Sequence, residues 1–207
     1  MYTPAAFKEE NLEQLERFID KHPLATLVTV DNGLPVIDHL PCVRDGRLSI
    51  GSRIISHVAK ANRIWSLLEH HPAATLVFSG ASAYVSPSFY PSKSTTHEVV
   101  PTWNYAAIHL RGVIQCTHDT LRKRDIVDRL TSRMEAGRPQ PWSLSDAPAA
   151  YIEKMIDGFV GLNFVIERID GKIKASQNRN EVDRSGVFIG LDADPLTREA
   201  ASMIPTP

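Results

Sequence analysis

Residues 51–62, GSRIISHVAKAN, place Arg53, His57, Lys60 and Asn62 close together in the chain. Two fixed cations, a titratable imidazole and an amide make a donor set suited to a phosphate group. The stretch reads as a strand leading into a helix over 56–72, with Ser56 as its N-cap. A helix start would add free N–H groups and the positive end of a dipole. A solvated helix with charges on its outer face accounts for the same spacing, so this segment alone does not decide between them.

A second stretch, YVSPSFYPSK (84–93), carries Ser86, Ser88, Tyr90 and Lys93 on a loop stiffened by two prolines. Prolines reduce the freedom lost on ordering, so such a loop is either preorganised for a ligand or simply a rigid connection. Trp103-Asn104-Tyr105 follows. On a strand, Trp103 and Tyr105 share one face and Asn104 takes the other. The aromatics then pack into a core or border a slot for a planar ring, and the amide suits the polar edge of a heterocycle. Asp38-His39 offers an acid–base pair, but no nucleophile accompanies it. His70-His71 and the other histidines lack metal-ligand spacing. Arg122, Lys123, Arg124, Arg129 and Arg133 form a basic run that would suit DNA phosphates. Asp125 and Asp128 interrupt it and no helix–turn–helix surrounds it, which favours a solvated helix face.

Several elements must position these groups. Leu12, Leu15 and Ile19 have helical spacing ahead of His22-Pro23. LATLVTV (24–30), a DNG turn (31–33) and LPVIDHLP (34–41) read as a hairpin. A turn at 44–46 and a strand at 47–51 would extend it into a meander. Further strands are expected at 73–80 and 82–86, then a long loop over 87–102 and a strand or bent pair from Trp103 to His118. Helices are expected at 119–137 and at 146–158, the latter capped by Asp146. A strand over 159–169 is expected to turn at Asp170-Gly171 into 172–176, with a partly helical tail beyond. Short hairpin-linked strands close most economically into a barrel packed against helices, an α+β arrangement. Irregular alternation and the lack of G-x-G-x-x-G disfavour a doubly wound sheet.

The 207 residues suit one domain spanning 1–207, and no repeat or linker divides them. A net charge of −1 provides no global field for nucleic acid or anionic lipid. Cys42 and Cys116 form no disulfide framework or zinc spacing and read as small buried hydrophobes. No apolar run reaches the ~18 residues of a bilayer span. The N-terminus lacks a basic segment followed by an apolar one, so a cytoplasmic location without membrane contact is expected.

In their order and spacing, MYTPAAF (1–7), HLP (39–41), HVAKAN (57–62), AYVSPSFYPSK (83–93), VPTWNYAAIH (100–109), GRPQPW (137–142) and SQNRNEVDRSG (176–186) resemble the PaiB family. These proteins are described as FMN-binding negative transcriptional regulators. One departure is Ser56, where a glycine is expected before the histidine. The resemblance implies a split β-barrel of the flavin-reductase and pyridoxamine-oxidase type, a homodimer with FMN at the subunit interface. It implies that His57, Lys60 and Asn62, with Arg53, surround the FMN phosphate, and that His39 and the Leu40 backbone lie by the ring. Ser86, Ser88, Tyr90 and Lys93 would belong to a covering loop. Trp103, Asn104 and Tyr105 would flank the flavin or the dimer seam, and Gln177 and Asn178 would reach in from a strand end. Flavin-linked oxidoreductase activity and gene regulation by DNA contact are both compatible with this. Haem in the groove, ligated by His39, His57, His97 or His109, is the alternative.

Overall fold

A computed structural model describes residues 1–205. The chain folds into two units, one comprising Met1–Asn11, Ser79–Ile108 and the chain from Asp170 onward, the other Leu12–Phe78 and His109–Ile169. Of the expected domain 1–207, positions 206 and 207 lie outside the described residues.

Along the chain run β1 (Lys8–Glu9), α1 (Leu12–Lys21), β2 (Leu24–Asp31), β3 (Leu34–Pro41), β4 (Val43–Asp45), β5 (Arg53–Ala59) and α2 (Ile64–His70). They are followed by β6 (Ala73–Val85), β7 (Thr102–Thr117), α3 (Thr120–Glu135), α4 (Ala149–Asp157), β8 (Phe159–Lys174), α5 (Glu181–Asp192) and α6 (Arg198–Ala201). The strands form one eight-stranded sheet in the order β3-β2-β6-β7-β8-β5-β4, with β1 paired to β8. The split-barrel expectation is borne out: an antiparallel sheet with flanking helices.

In the unit containing Leu12–Phe78, Asn32 (φ 49°) and Gly33 (φ 81°) are both left-handed. That is the backbone a two-residue hairpin needs, and it sets the β2–β3 register from Asp31↔Leu34 to Leu24↔Pro41. The expected meander is not formed. β3 and β4 follow one another in sequence yet occupy opposite ends of the strand path. Ser56 Oγ donates to the Pro41 carbonyl at 2.7 Å, linking β5 to the end of β3. Ser56 is buried, so the hydroxyl that departs from the family pattern has a structural partner.

Two further expectations are corrected here. Residues 47–51 are not a strand, because Gly46 (φ 90°) and Gly51 (φ 85°) bend the chain at both ends. Residues 56–59 are not helical, and Ser56 caps nothing. β5 pairs antiparallel with β8 from Arg53↔Val165 to Ala59↔Phe159. Its Ile54, Ser56 and Val58 are buried on one face, and Ile55 on the other packs with Ile126 and Leu130 of α3. A strand buried on both faces shows no clean alternation, which is why its period is ambiguous in sequence.

Strands expected to break do not. β6 and β8 are each continuous, and Gly171 pairs with Glu9 of β1 rather than turning. α4 starts after Pro148, while Asp146 closes a capping box with Ser143 in the preceding 3-10 turn. Cys42 is buried and Cys116 half-buried. Burial raises their thiols to about 12 and about 11, so both are neutral. No helix among the described residues is long and apolar enough to cross a membrane.

In the other unit, Val187 and Leu191 of α5 and Ala200 and Ala201 of α6 pack with Ala83, Val85, Tyr90 and Ala175. Fully burying side chains of the Val or Leu class contributes ~1.5–3 kcal/mol each.

Candidate functional site

The residues singled out in the sequence fall into both units. In the Leu12–Phe78 unit, β5 puts His57 on the face shared by Arg53 and Ile55. The His57 ring lies against Phe159, centroids 4.8 Å apart, and its Nδ1 is buried with no hydrogen-bond partner. Burial holds its pKa below the ordinary histidine range, favouring the neutral ring. An orphaned ring nitrogen of this kind is a feature that a ligand can satisfy.

The turn after β5 carries Lys60, Asn62 and Arg63. Asn62 Nδ2 donates to Asp38, and its Oδ1 accepts from the Ile64 N–H at 3.1 Å. Both ends of the amide are therefore used, and its role is to tie the turn to Asp38 of β3. Asp38 also accepts from the His39 N–H at 2.7 Å. Lys60 and Arg63 are exposed and carry no ion pair among the described residues. Arg53 is not brought to this cluster: it lies four residues, ~13 Å, from His57 along the strand. Its Nε pairs with Asp45 at 3.3 Å.

The basic run on α3 is largely spoken for. Lys123 is buried, contrary to the solvated face expected, because its Nζ donates to the Ile156 carbonyl at 2.8 Å and lies over the Phe159 ring. Arg129 pairs with Asp45 at 2.8 Å and Arg133 with Asp20 at 3.0 Å. Arg122 and Arg124 remain exposed.

In the other unit, the loop after β6 is built on two 3-10 turns. Ser86 Oγ accepts from the Ser88 N–H at 3.2 Å and is 2.7 Å from the Ser88 hydroxyl. Asp183 of α5 is buried and accepts from both the Ser92 N–H (3.0 Å) and hydroxyl (2.8 Å), which pins the loop. No local pattern in the sequence links residues 92 and 183, so Asp183 was not a candidate. α5 also presents two glycines to the loop. A Cβ on Gly186 would lie 2.2 Å from the Phe89 carbonyl oxygen, and one on Gly190 would meet the Phe89 ring at 2.4 Å.

Two cavities adjoin Tyr90. The larger, about 420 Å³, is lined by Ser88, Tyr90, Lys93 and His97 among others. The smaller, about 180 Å³, is lined by Phe7, Tyr90, Thr102, Asn104, Lys174 and Arg179, with Ser176 and Asn178. Thus Ser88, Tyr90 and Lys93 are brought together, as are Tyr90, Asn104 and Asn178. Lys174, Ser176 and Arg179 were missed. The KIK run of 172–174, with two lysines two apart on one strand face, is the signal that could have found Lys174.

The aromatic pair behaves differently from a core stripe. Trp103 is 55% exposed and meets Tyr84 edge-on at 6.2 Å, while it is Asn104 that is fully buried. Asn104 Nδ2 donates to Ser176 Oγ at 3.0 Å. Tyr105 lies under Lys172 Nζ, 5.0 Å from its centroid. Gln177 closes on its own strand end, donating to the Ile173 carbonyl at 2.5 Å and accepting from the Ala175 N–H at 2.7 Å. Among the described residues, no three His, Cys, Asp or Glu side chains are grouped to hold a metal ion.

Comparison with known proteins gives a consistent picture. The sequence model of a family described as "Putative FMN-binding domain" matches residues 1–168. The chain is 31% identical over 209 residues to the "Protease synthase and sporulation protein PAI 2" of Bacillus subtilis, covering 99% of this chain and 96% of that protein. Among solved structures it is similar to a conserved hypothetical protein of Mycobacterium tuberculosis (TM-score 0.62, 13% identity, 86% of this chain and 94% of that one). It is also similar to an FAD and heme binding protein of Mycobacterium smegmatis (TM-score 0.58, 20% identity, 81% of this chain and 73% of that one). At these identities the structures speak to fold alone.

Proposed function

Because this chain belongs to the PaiB family of FMN-binding split-barrel proteins, with FMN as its cofactor, we propose that it is a homodimeric FMN-dependent oxidoreductase. The observation that carries the reading is a binding set without a nucleophile. His57 offers a buried ring nitrogen lacking any partner, and Lys60 and Arg63 offer unpaired cations on the next turn. No metal cluster occurs among the described residues, and no nucleophile–base pair was found in the sequence. These residues fit a flavin nucleotide. Lys60 and His57 would hold its phosphate, Asn62 would keep the turn in place, and His39 would stand nearby.

Bound FMN supplies the electron or hydride transfer, and the protein's part is position and electrostatics. His57, kept neutral by burial, donates or accepts one hydrogen bond according to its tautomer. Lys60 contributes charge without needing to exchange a proton. The half-exposed Trp103–Tyr84 pair supports a subunit contact, since aromatic side chains are enriched at such surfaces. Direct contact with DNA is not part of the reading, because Lys123, Arg129 and Arg133 of α3 are already engaged within the protein.

The absorption spectrum of the purified protein is the first test. Flavin bands near ~450 nm that bleach with NAD(P)H support the reading, and a Soret band near ~400 nm would replace it with haem. Removing one charged hydrogen bond to a phosphate costs about tenfold in affinity or more. The double variant His57→Gln, Lys60→Gln should therefore weaken FMN binding at least tenfold in a fluorescence titration, and unchanged affinity refutes the assignment.

A further inference from the structure

A third cavity, of about 460 Å³, lies between α3 and β5, within the unit that contains Leu12–Phe78. We propose that it is a binding site for an aromatic monocarboxylate, apart from the flavin site. The helix lines it with Arg122, Ile126 and Arg129, and the strands with Asp45, Arg53 and Ile55. Its floor is apolar, for Ile55 and Ile126 are both buried and pack in one cluster with Leu130. The β8 residue paired with Ile55 is Asn163, which also lines the cavity. The Asn163 side chain has no hydrogen-bond partner among the described residues. A half-buried amide on an apolar floor favours a ligand that brings it a polar atom.

Charge around the cavity is unequal. Its three arginines face two aspartates, Asp45 and Asp125, which leaves one positive charge unmatched. Asp45 is shared, meeting Arg53 Nε at 3.3 Å and Arg129 Nη2 at 2.8 Å through different oxygens. Asp125 is exposed and stands 3.7 Å from Arg129, a loose pair. Arg122 has no ion pair and no side-chain hydrogen bond among the described residues. Its guanidinium is therefore free to hold a carboxylate by two parallel N–H···O bonds.

Charge, size and surface together select the ligand class. One unmatched cation suits a single carboxylate, whereas a dianion would add net negative charge beside two aspartates. A volume of about 460 Å³ falls within the ~300–1,000 Å³ of pockets that enclose a small molecule. An isoleucine floor beneath guanidinium groups suits a flat ring, which packs on the one and stacks with the other. This goes beyond the FMN reading and does not require it, because His57, Lys60 and Arg63 do not line the cavity. Arg53, which the family resemblance would bring to the flavin phosphate, lies ~13 Å from His57 along β5 and is held on Asp45.

The test is calorimetric titration of the FMN-saturated, full-length protein with 2-naphthoate. One site per chain is expected. Arg122→Gln should weaken it about tenfold or more, the worth of a charged hydrogen-bonded contact, and Asp125→Asn should tighten it. Both positions are exposed, so neither variant threatens the fold. Lys60→Gln should weaken FMN and leave naphthoate unchanged, and Arg122→Gln should leave FMN unchanged. The uncharged 2-naphthamide and the ringless acetate should each bind about tenfold more weakly than 2-naphthoate, or worse. The proposal is overturned if wild-type protein does not bind naphthoate, if Arg122→Gln binds it as tightly, or if Asp125→Asn weakens it. It is equally overturned if either control binds as well, or if Lys60→Gln loses naphthoate, since the ligand would then sit at the flavin. If FMN itself does not bind, the FMN reading fails, and the same titration on the protein as purified decides this one.

Discussion

Gly186→Ala sets two known effects of opposite sign against each other on α5. In a helix interior, alanine is favoured over glycine by ~1 kcal/mol. At this position, however, the new Cβ would stand 2.2 Å from the Phe89 carbonyl oxygen and 2.7 Å from Pro91 Cδ. To reach van der Waals contact, backbone must move by about 1 Å. The loop that would move is held to the same helix by the two hydrogen bonds from Ser92 to Asp183. Overpacking against a restrained backbone costs ~1–3 kcal/mol, and a carbonyl this close belongs at the upper end. The expected result is a net loss of ~2 kcal/mol, or ~4–8 °C in Tm for a chain of this length. Urea and thermal unfolding followed by far-UV circular dichroism and tryptophan fluorescence measure it. A variant more stable than the parent by ~1 kcal/mol, the intrinsic helix preference alone, would show that the loop does not rest on the helix and refute the reasoning.

Two further outcomes follow from buried polar groups. Lys123→Met keeps the apolar stem but removes the donor to the Ile156 and Phe159 carbonyls, and should cost ~1–3 kcal/mol in urea unfolding, whereas parental stability would mean the ammonium contributes nothing. His57 is held neutral by burial, so its folded pKa lies below the ordinary 6.5. As pH falls below 6.5 the unfolded chain takes up a proton that the folded chain refuses; stability therefore declines until the folded pKa is reached and then levels. His57→Gln should flatten that part of the stability–pH curve, and an identical slope in the variant would contradict it.

What the sequence made legible was mostly local. Leu15 and Ile19 mark the buried side of α1, Asn32-Gly33 fixes a hairpin, and the helix expected over 119–137 is α3. Each of these depends on neighbours within a few residues. β5 was hidden because it is covered on both faces, so HVAKAN carries no strand period. Asp170-Gly171 has turn composition, yet pairing with β1, about 160 residues earlier in the chain, overrides it. The site divides in the same way. His57 and Lys60 stand out through spacing, and Tyr90 through its proline-framed loop. The grouping of Lys174 and Arg179 with Tyr90 arises only when residues far apart in sequence meet, and no short window contains it.

β6, β7 and β8 each begin in one unit and end in the other. Neither unit therefore corresponds to an uninterrupted length of coding sequence. Expressing residues 12–169 alone would still include Ser79–Ile108, and expressing the chain from Asp170 onward would supply only one of the three stretches its unit needs. Halves of this protein cannot be exchanged with a relative by a single crossover; recombination that respects the fold has to cut after Asn11 and within all three strands at once.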